Sequence, residues 1–126
     1  MRYSKITVPY GKQDISERDV KAVIETLHSN FLTQGPKVPL FEQRVSDYCG
    51  ANYGVAVNSA TSALHIACLA LGLNQKDWLW TSPNSYVSSA NCGLYCGANI
   101  DFVDIDPKTY NISITELKKK LVLAKK

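Results

Sequence analysis

The chain has 126 residues, 45% hydrophobic, 10% aromatic and 20% charged, with 7 Gly, 5 Pro and 4 Cys, which excludes collagen, low-complexity disorder and a disulfide-built miniprotein. Its net charge of +3 comes from one end: residues 116–126 hold five Lys against one Glu, leaving nine basic against ten acidic residues in 1–115. A nearly neutral body with its cations in a terminal run, far along the chain from Trp78, Trp80 and most of the Tyr residues, lacks the pattern of a nucleic-acid binder, and the run reads as a solvated helix end.

Residues 1–10 contain no apolar leader core, and four scattered cysteines (Cys49, Cys68, Cys92, Cys96) make no disulfide framework. They read as reduced, buried thiols of a cytoplasmic protein. Cys92 and Cys96 fall one helical turn apart, but no second Cys or His pair has zinc-ligand spacing, so core packing is preferred to a metal. Val20, Val23, Ile24 and Leu27 recur with helical period, and Ser16 with Asp19 resembles an acidic capping box, which predicts an amphipathic helix over 17–29. Residues 31–39, with Gly and two Pro, read as a loop; a second helix carries Phe41 and Val45 inward and stops at Gly50. Residues 48–75 are uncharged, yet the apolar run 63–73 is far below the roughly 18 residues of a membrane span. It reads as buried interior.

From residue 53 onward strand and helix alternate. Strands are expected at 53–57, 78–81 and 100–105, and helices at 61–71 closed by Gly72, at 86–96 closed by Gly97, and at 113–124 opened by a Ser113 to Glu116 capping box. This β-α-β-α-β-α order predicts an α/β fold with mainly parallel strands covered on both faces. The organisation expected is 1–52 as amino-terminal helices with a substrate-loop segment, and 53–126 as an incomplete α/β cofactor-binding domain. Three strands are few for such a sheet, whose ligands bind at the strands' carboxyl ends.

The first strand runs into Asn58-Ser59-Ala60-Thr61-Ser62-Ala63-Leu64, small and hydroxylated residues opening a helix. Unpaired first-turn N–H groups and the helix dipole favour an anion there, and Ser59, Thr61 and Ser62 could add hydroxyl donors; an ordinary Asn or Ser cap is the competing reading. Tyr86 follows the next strand and belongs on the same sheet edge, where it could stack on a flat ring or enter the core. Asp101, Asp104 and Asp106 would suit a metal or acid/base pair, but Asp106-Pro107 is a turn signature, so turn and cap roles are preferred.

Together these segments resemble the DegT/DnrJ/EryC1/StrS family of sugar-nucleotide aminotransferases. The resemblance runs through Pro9-Tyr10-Gly11, Phe31-Leu32-Thr33-Gln34-Gly35-Pro36, Phe41-Glu42, Val57 to His65, Trp80-Thr81-Ser82-Pro83, Ser88-Ser89-Ala90-Asn91 and Val103-Asp104-Ile105-Asp106. It implies the amino-terminal part of the large domain of a fold type I pyridoxal phosphate enzyme, a homodimer in its full-length form. The implied reaction is amination of a UDP-linked 4-keto-6-deoxy-N-acetyl sugar with glutamate as donor, in pseudaminic acid and surface-glycan synthesis. By the same resemblance, Ser59, Ala60 and Thr61 hold the cofactor phosphate, Tyr86 stacks on the pyridine ring where Phe or Trp is commoner, and Thr33 with Gln34 line the sugar-nucleotide site.

Transamination needs a lysine, neutral in a partly desolvated site, to form a Schiff base with the cofactor. None here has that setting: Lys5, Lys12, Lys21, Lys37, Lys76 and Lys108 lie in turns or on polar faces, and the tail lysines are expected in water. The family's lysine and pyridine-nitrogen carboxylate lie beyond residue 126 in relatives, so the chain reads as an amino-terminal fragment without turnover of its own. Two other classes stay open: a small phosphate or nucleotide-binding module, although the turn matches neither GxGxxG nor a GK[ST] ending, and a non-catalytic fragment that pairs its open sheet edge with a longer homologue.

Overall fold

A computed structural model describes residues 9–124. The chain divides into two compact units at the Gly54–Val55 junction. In the first, α1 spans Glu17–Leu27 and α2 spans Lys37–Cys49. The capping box at α1 forms as expected: the Ser16 N–H donates to Asp19 Oδ2 (2.7 Å) and the Asp19 N–H to Ser16 Oγ (3.4 Å). The Ser16 backbone N–H, and after it the Ser16 hydroxyl, which also donates to Asp19 Oδ2 (2.7 Å), hold the Asp19 carboxyl below its usual range.

Helix α2 begins inside the expected 31–39 loop, at Lys37 after Pro36. Pro39 is the third helical residue, where a missing N–H costs nothing because first-turn donors have no partner within the helix. Phe41 and Val45 are 59% and 42% exposed rather than inward. The covered face is the adjacent one, where Ser46 is buried and its Oγ donates to the Glu42 carbonyl (2.6 Å). The chain at Gly54 lies on that face so closely that a Cβ there would sit 2.8 Å from both Glu42 O and Ser46 Oγ. Gly50, left-handed at φ 65°, ends the helix and lets the Ala51 N–H reach Ser46 O.

The second unit contains α3 (Ala60–Ala70), β1 (Trp78–Thr81), α4 (Ser88–Tyr95), β2 (Asn99–Phe102) and α5 (Ile114–Ala124). β1 and β2 pair in parallel, Trp78 opposite Asn99 through Thr81 opposite Phe102. The expected strand at 53–57 is not part of this ladder. Tyr53 and Val55 are largely exposed, and apolar content alone does not make a strand without ladder bonds. The third expected strand stops at Phe102, and Ile105 instead forms an isolated antiparallel bridge with Ile112. Helix α4 starts two residues later than expected, leaving Tyr86 in the preceding turn. Only half of the Ser113 box forms: Ser113 Oγ accepts from the Glu116 N–H, while the Ser113 N–H goes to Asp104 O and the Glu116 carboxylate to Lys119.

Helix α4 covers one sheet face so closely that a Cβ on buried Gly93 would lie 2.5 Å from Ile100 Cδ1 and 3.1 Å from Leu79 Cβ. On the other face Lys120 of α5 lies 5.3 Å from the Trp80 ring centroid, ion-pairs with Asp101 and donates to Phe102 O (2.7 Å). This corrects two expectations, since one tail lysine is a half-buried pin and lies beside a tryptophan distant in sequence. Lys120, with the Phe102 N–H, holds the Asp101 carboxyl below its ordinary value. Buried apolar residues are Cys68, Cys92, Ala98 and Val103; most of 48–75 is exposed, contrary to the interior read from its lack of charge. All four thiols are free, but only Cys68 and Cys92 are buried as expected, while Cys96 is half-buried and Cys49 exposed.

Gly93→Ala should lower the urea midpoint, because overpacking of about 1–3 kcal/mol exceeds the ~1 kcal/mol that Ala gains over Gly inside a helix; a raised midpoint would contradict the close approach. Asp101 has its pKa depressed in the fold, so its contribution is present above the unfolded value of about 3.9 and lost as pH falls through the folded value. Between pH 5 and 3 the unfolding midpoint should fall more steeply for the unmutated chain than for Asp101→Asn.

Candidate functional site

The turn entering α3 shows how a cap and an open helix end coexist. Ser59 is the extended N-cap (φ −161°, ψ 157°), and its Oγ accepts the Ser62 N–H at 3.2 Å. The Ala63 N–H goes to Ser59 O, and Ser62 Oγ donates to Asn58 Oδ1 at 2.7 Å. Thr61 Oγ1 is 2.7 Å from Ser88 Oγ. The three hydroxyls expected as anion donors are therefore already engaged within the protein. The donors left are the Ala60 and Thr61 N–H groups, which have no hydrogen-bond partner among the described residues. Small side chains at 59–62 leave that end approachable, and the aligned peptide dipoles favour an anion there.

The Thr61–Ser88 bond joins the first turn of α3 to that of α4. Two residues before Ser88, Tyr86 lines a cleft of about 210 Å³ at the carboxyl end of β1, with Thr81, Ser82, Ser89 and Phe102 among its walls. Tyr86 is 76% exposed, so its ring is available rather than spent in a core. The structure thus gathers Ser59, Ala60, Thr61 and Tyr86 at the carboxyl side of the sheet within the second unit. Thr33 and Gln34 belong to the first unit, in an exposed bend before α2. Gln34 takes φ 54°, uncommon for a residue with a side chain, and Gly35 lies where a Cβ would be 2.9 Å from Phe31 Cβ.

The aspartates fall into separate roles. Asp106 Oδ1 accepts the Lys108 and Thr109 N–H groups as a turn former, Asp104 Oδ1 accepts the Ile105 N–H, and Asp101 is paired with Lys120. Cys92 lies with Cys68 between α3 and α4, where burial first and the Cys92 thiol second push the Cys68 thiol up to about 11. His65 and Tyr95 meet edge to face at 5.2 Å across the same two helices. Sequence reasoning missed the Ser88 and Lys120 contacts, both made to residues distant along the chain.

A helix end with two open amides, linked to an exposed aromatic at the carboxyl edge of parallel strands, defines an α/β protein suited to a phosphorylated planar ligand. The profile of the DegT/DnrJ/EryC1/StrS aminotransferase family matches residues 13–125. A UDP-4-amino-4,6-dideoxy-N-acetyl-beta-L-altrosamine transaminase from Campylobacter jejuni is 38% identical over 115 residues, 91% of this chain and 30% of its own length. Spr1654 from Streptococcus pneumoniae, solved in a PLP-form, superposes with a TM-score of 0.86 at 30% identity, covering 90% of this chain and 29% of that one. A GDP-4-keto-6-deoxy-D-mannose-3-dehydratase from E. coli with bound hydrated PLP gives a TM-score of 0.82 at 28% identity, covering 90% and 31%.

The chain belongs to the DegT/DnrJ/EryC1/StrS aminotransferase family, whose cofactor is pyridoxal phosphate. It has the α/β architecture of the amino-terminal part of those chains and spans about 30% of the length of the curated relatives it matches. No helix among the described residues is long and apolar enough to cross a membrane.

The thiols give a direct check on this packing. At pH 8 in the native state, iodoacetamide should modify Cys49 first and leave Cys68 intact until the chain is unfolded, as read by peptide mass spectrometry. Early labelling of Cys68 would mean that the α3–α4 contact is looser than described.

Proposed function

We propose that this chain provides the phosphate- and ring-binding part of a pyridoxal phosphate-dependent sugar-nucleotide aminotransferase. The observation that carries the reading is the pair of open amides at Ala60 and Thr61, tied through Ser88 to the Tyr86 turn. In this reading the two amides receive the cofactor phosphate, Ser59 fixes the turn that presents them, and the Tyr86 ring lies against the pyridine. Thr33 and Gln34 line the sugar-nucleotide site, where the left-handed backbone at Gln34 holds the bend before α2. Bound pyridoxal phosphate supplies an electron sink for moving an amino group. The chain's own residues grip the anionic handle and orient the ring.

The whole protein's reaction is then amination of a UDP-linked 4-keto-6-deoxy-N-acetyl sugar with glutamate, by a cytoplasmic homodimer serving pseudaminic acid synthesis. The 38% identity to the Campylobacter jejuni transaminase supports that substrate class. The 126-residue chain alone carries out no turnover. Among the described lysines, Lys12, Lys21, Lys37, Lys76, Lys108, Lys118 and Lys119 are exposed, and the Lys120 amine is committed to Asp101 and Phe102 O. None has the desolvated, uncommitted setting that attack on an aldehyde requires.

Titrating the 126-residue chain with pyridoxal phosphate, followed by tryptophan and tyrosine fluorescence, should give saturable binding that inorganic phosphate competes away. Tyr86→Ala should lose about 0.5–1.5 kcal/mol, a roughly two- to tenfold rise in Kd. Glutamate and a UDP-linked keto sugar should yield no amino sugar, and borohydride should trap no specific lysine adduct. Binding of phosphate or UDP without affinity for pyridoxal phosphate would replace this reading with that of a simple anion-binding module.

A further inference from the structure

We infer that Ser88 is a positioning residue that sets the spacing between the phosphate grip and the ring platform, an inference that rests on the cofactor-site reading above. Ser88 is only 4% exposed, in the first turn of α4. A hydroxyl is costly in such a place unless it is bonded, and Ala is the better helix former there. Its Oγ meets Thr61 Oγ1 at 2.7 Å, across 27 residues of sequence. Thr61 is the second residue of α3, so no helical turn precedes it to take its hydroxyl, and the Ser88 contact is what holds this side chain, on the residue whose N–H is one of the two open donors.

The far end of the same link is equally constrained. The Ser89 N–H donates to Tyr86 O at 2.9 Å, and Ser85 Oγ lies 2.9 Å from Ser89 Oγ. The turn carrying Tyr86 is thereby closed on itself, and Ser88 ties it to the α3 end. A ligand whose phosphate and ring are joined covalently feels the distance between these two places. Inorganic phosphate feels only one of them. Ser88 therefore acts on recognition of the two-handled ligand and leaves the anion grip almost untouched.

The experiment measures Kd for pyridoxal phosphate and for inorganic phosphate on the 126-residue chain, with far-UV circular dichroism and urea midpoints as folding controls. Ser88→Ala should weaken pyridoxal phosphate about five- to tenfold while changing phosphate less than about twofold. Thr61→Val removes the same bond from the less buried side and keeps the backbone N–H, so where Ser88→Ala folds poorly a loss for pyridoxal phosphate that exceeds its loss for inorganic phosphate serves instead. The double variant should lose little more than either single one, as expected for one shared interaction. Thr61→Ser, which keeps the hydroxyl, should retain affinity. Parallel loss for both ligands, or no loss for either, would reduce Ser88 to a packing residue and overturn the inference. An unmutated chain that binds phosphate but not pyridoxal phosphate, or neither, would instead sink the cofactor-site reading, and the role of Ser88 with it.

Discussion

The close seat of α4 on the two parallel strands is the constraint from which the rest of the second unit follows. At Gly93 there is room for a hydrogen and no more, with Ile100 on β2 and Leu79 on β1 beneath it. Any larger residue would lift the helix and with it both of its ends. At one end Gly97, left-handed at φ 76°, turns the chain into β2 with Ala98 buried. At the other, the helix delivers Ser88 to Thr61 and leaves the Tyr86 turn at the carboxyl edge of β1. A close-packed interior transmits such a shift rather than absorbing it, so a glycine remote from the cleft governs the cleft's shape.

What could be read from the chain was what local chemistry decides. The capping box at Ser16 and Asp19 and the stops at Gly50, Gly72 and Gly97 each depend on a few neighbouring residues, and the structure shows all of them. The Ser59 turn was legible for the same reason, since a small hydroxylated run after an apolar segment can cap a helix wherever it lies. Features set by distant partners were not legible. Nothing in the order of residues 59–62 says that their hydroxyls face Asn58 and Ser88 rather than a ligand. The period that marks α2 cannot distinguish a Phe41–Val45 face from the adjoining Glu42–Ser46 face, a rotation of one residue, until Gly54 is seen against one of them. The apolar stretch 53–57 has strand composition, yet ladder pairing rather than composition defines a strand.

Charge in the terminal run divides in a way that composition hides. Lys118 and Lys119 stay in water, with Lys119 reaching Glu116 one turn back. Lys120 instead crosses to the sheet, where a carboxylate, a strand-end carbonyl and an aromatic face converge on one ammonium. The Trp80 Nε1–H is buried without a partner among the described residues, so this indole is seated for the face it offers rather than for its donor. Lys120 also holds the carbonyl of Phe102, whose side chain helps wall the cleft. The pin that fastens α5 thus ends at the same strand edge that α4 sets from the opposite face.

A grip made from backbone amides shifts the source of specificity. Any residue supplies an N–H, so the anion site proposed at Ala60 and Thr61 demands small size and correct placement rather than a distinctive side chain. Two such donors suit many anions equally well, and the turn alone cannot distinguish one phosphorylated compound from another. In the proposed site, discrimination comes from what stands at a fixed distance from it: an exposed aromatic, carried on a turn closed by its own serines and linked to the proposed grip by one part-buried hydroxyl pair. The hydroxyls that a first reading would assign to the ligand are then better used inside the protein, because there they convert two weak and general features into one rigid pair.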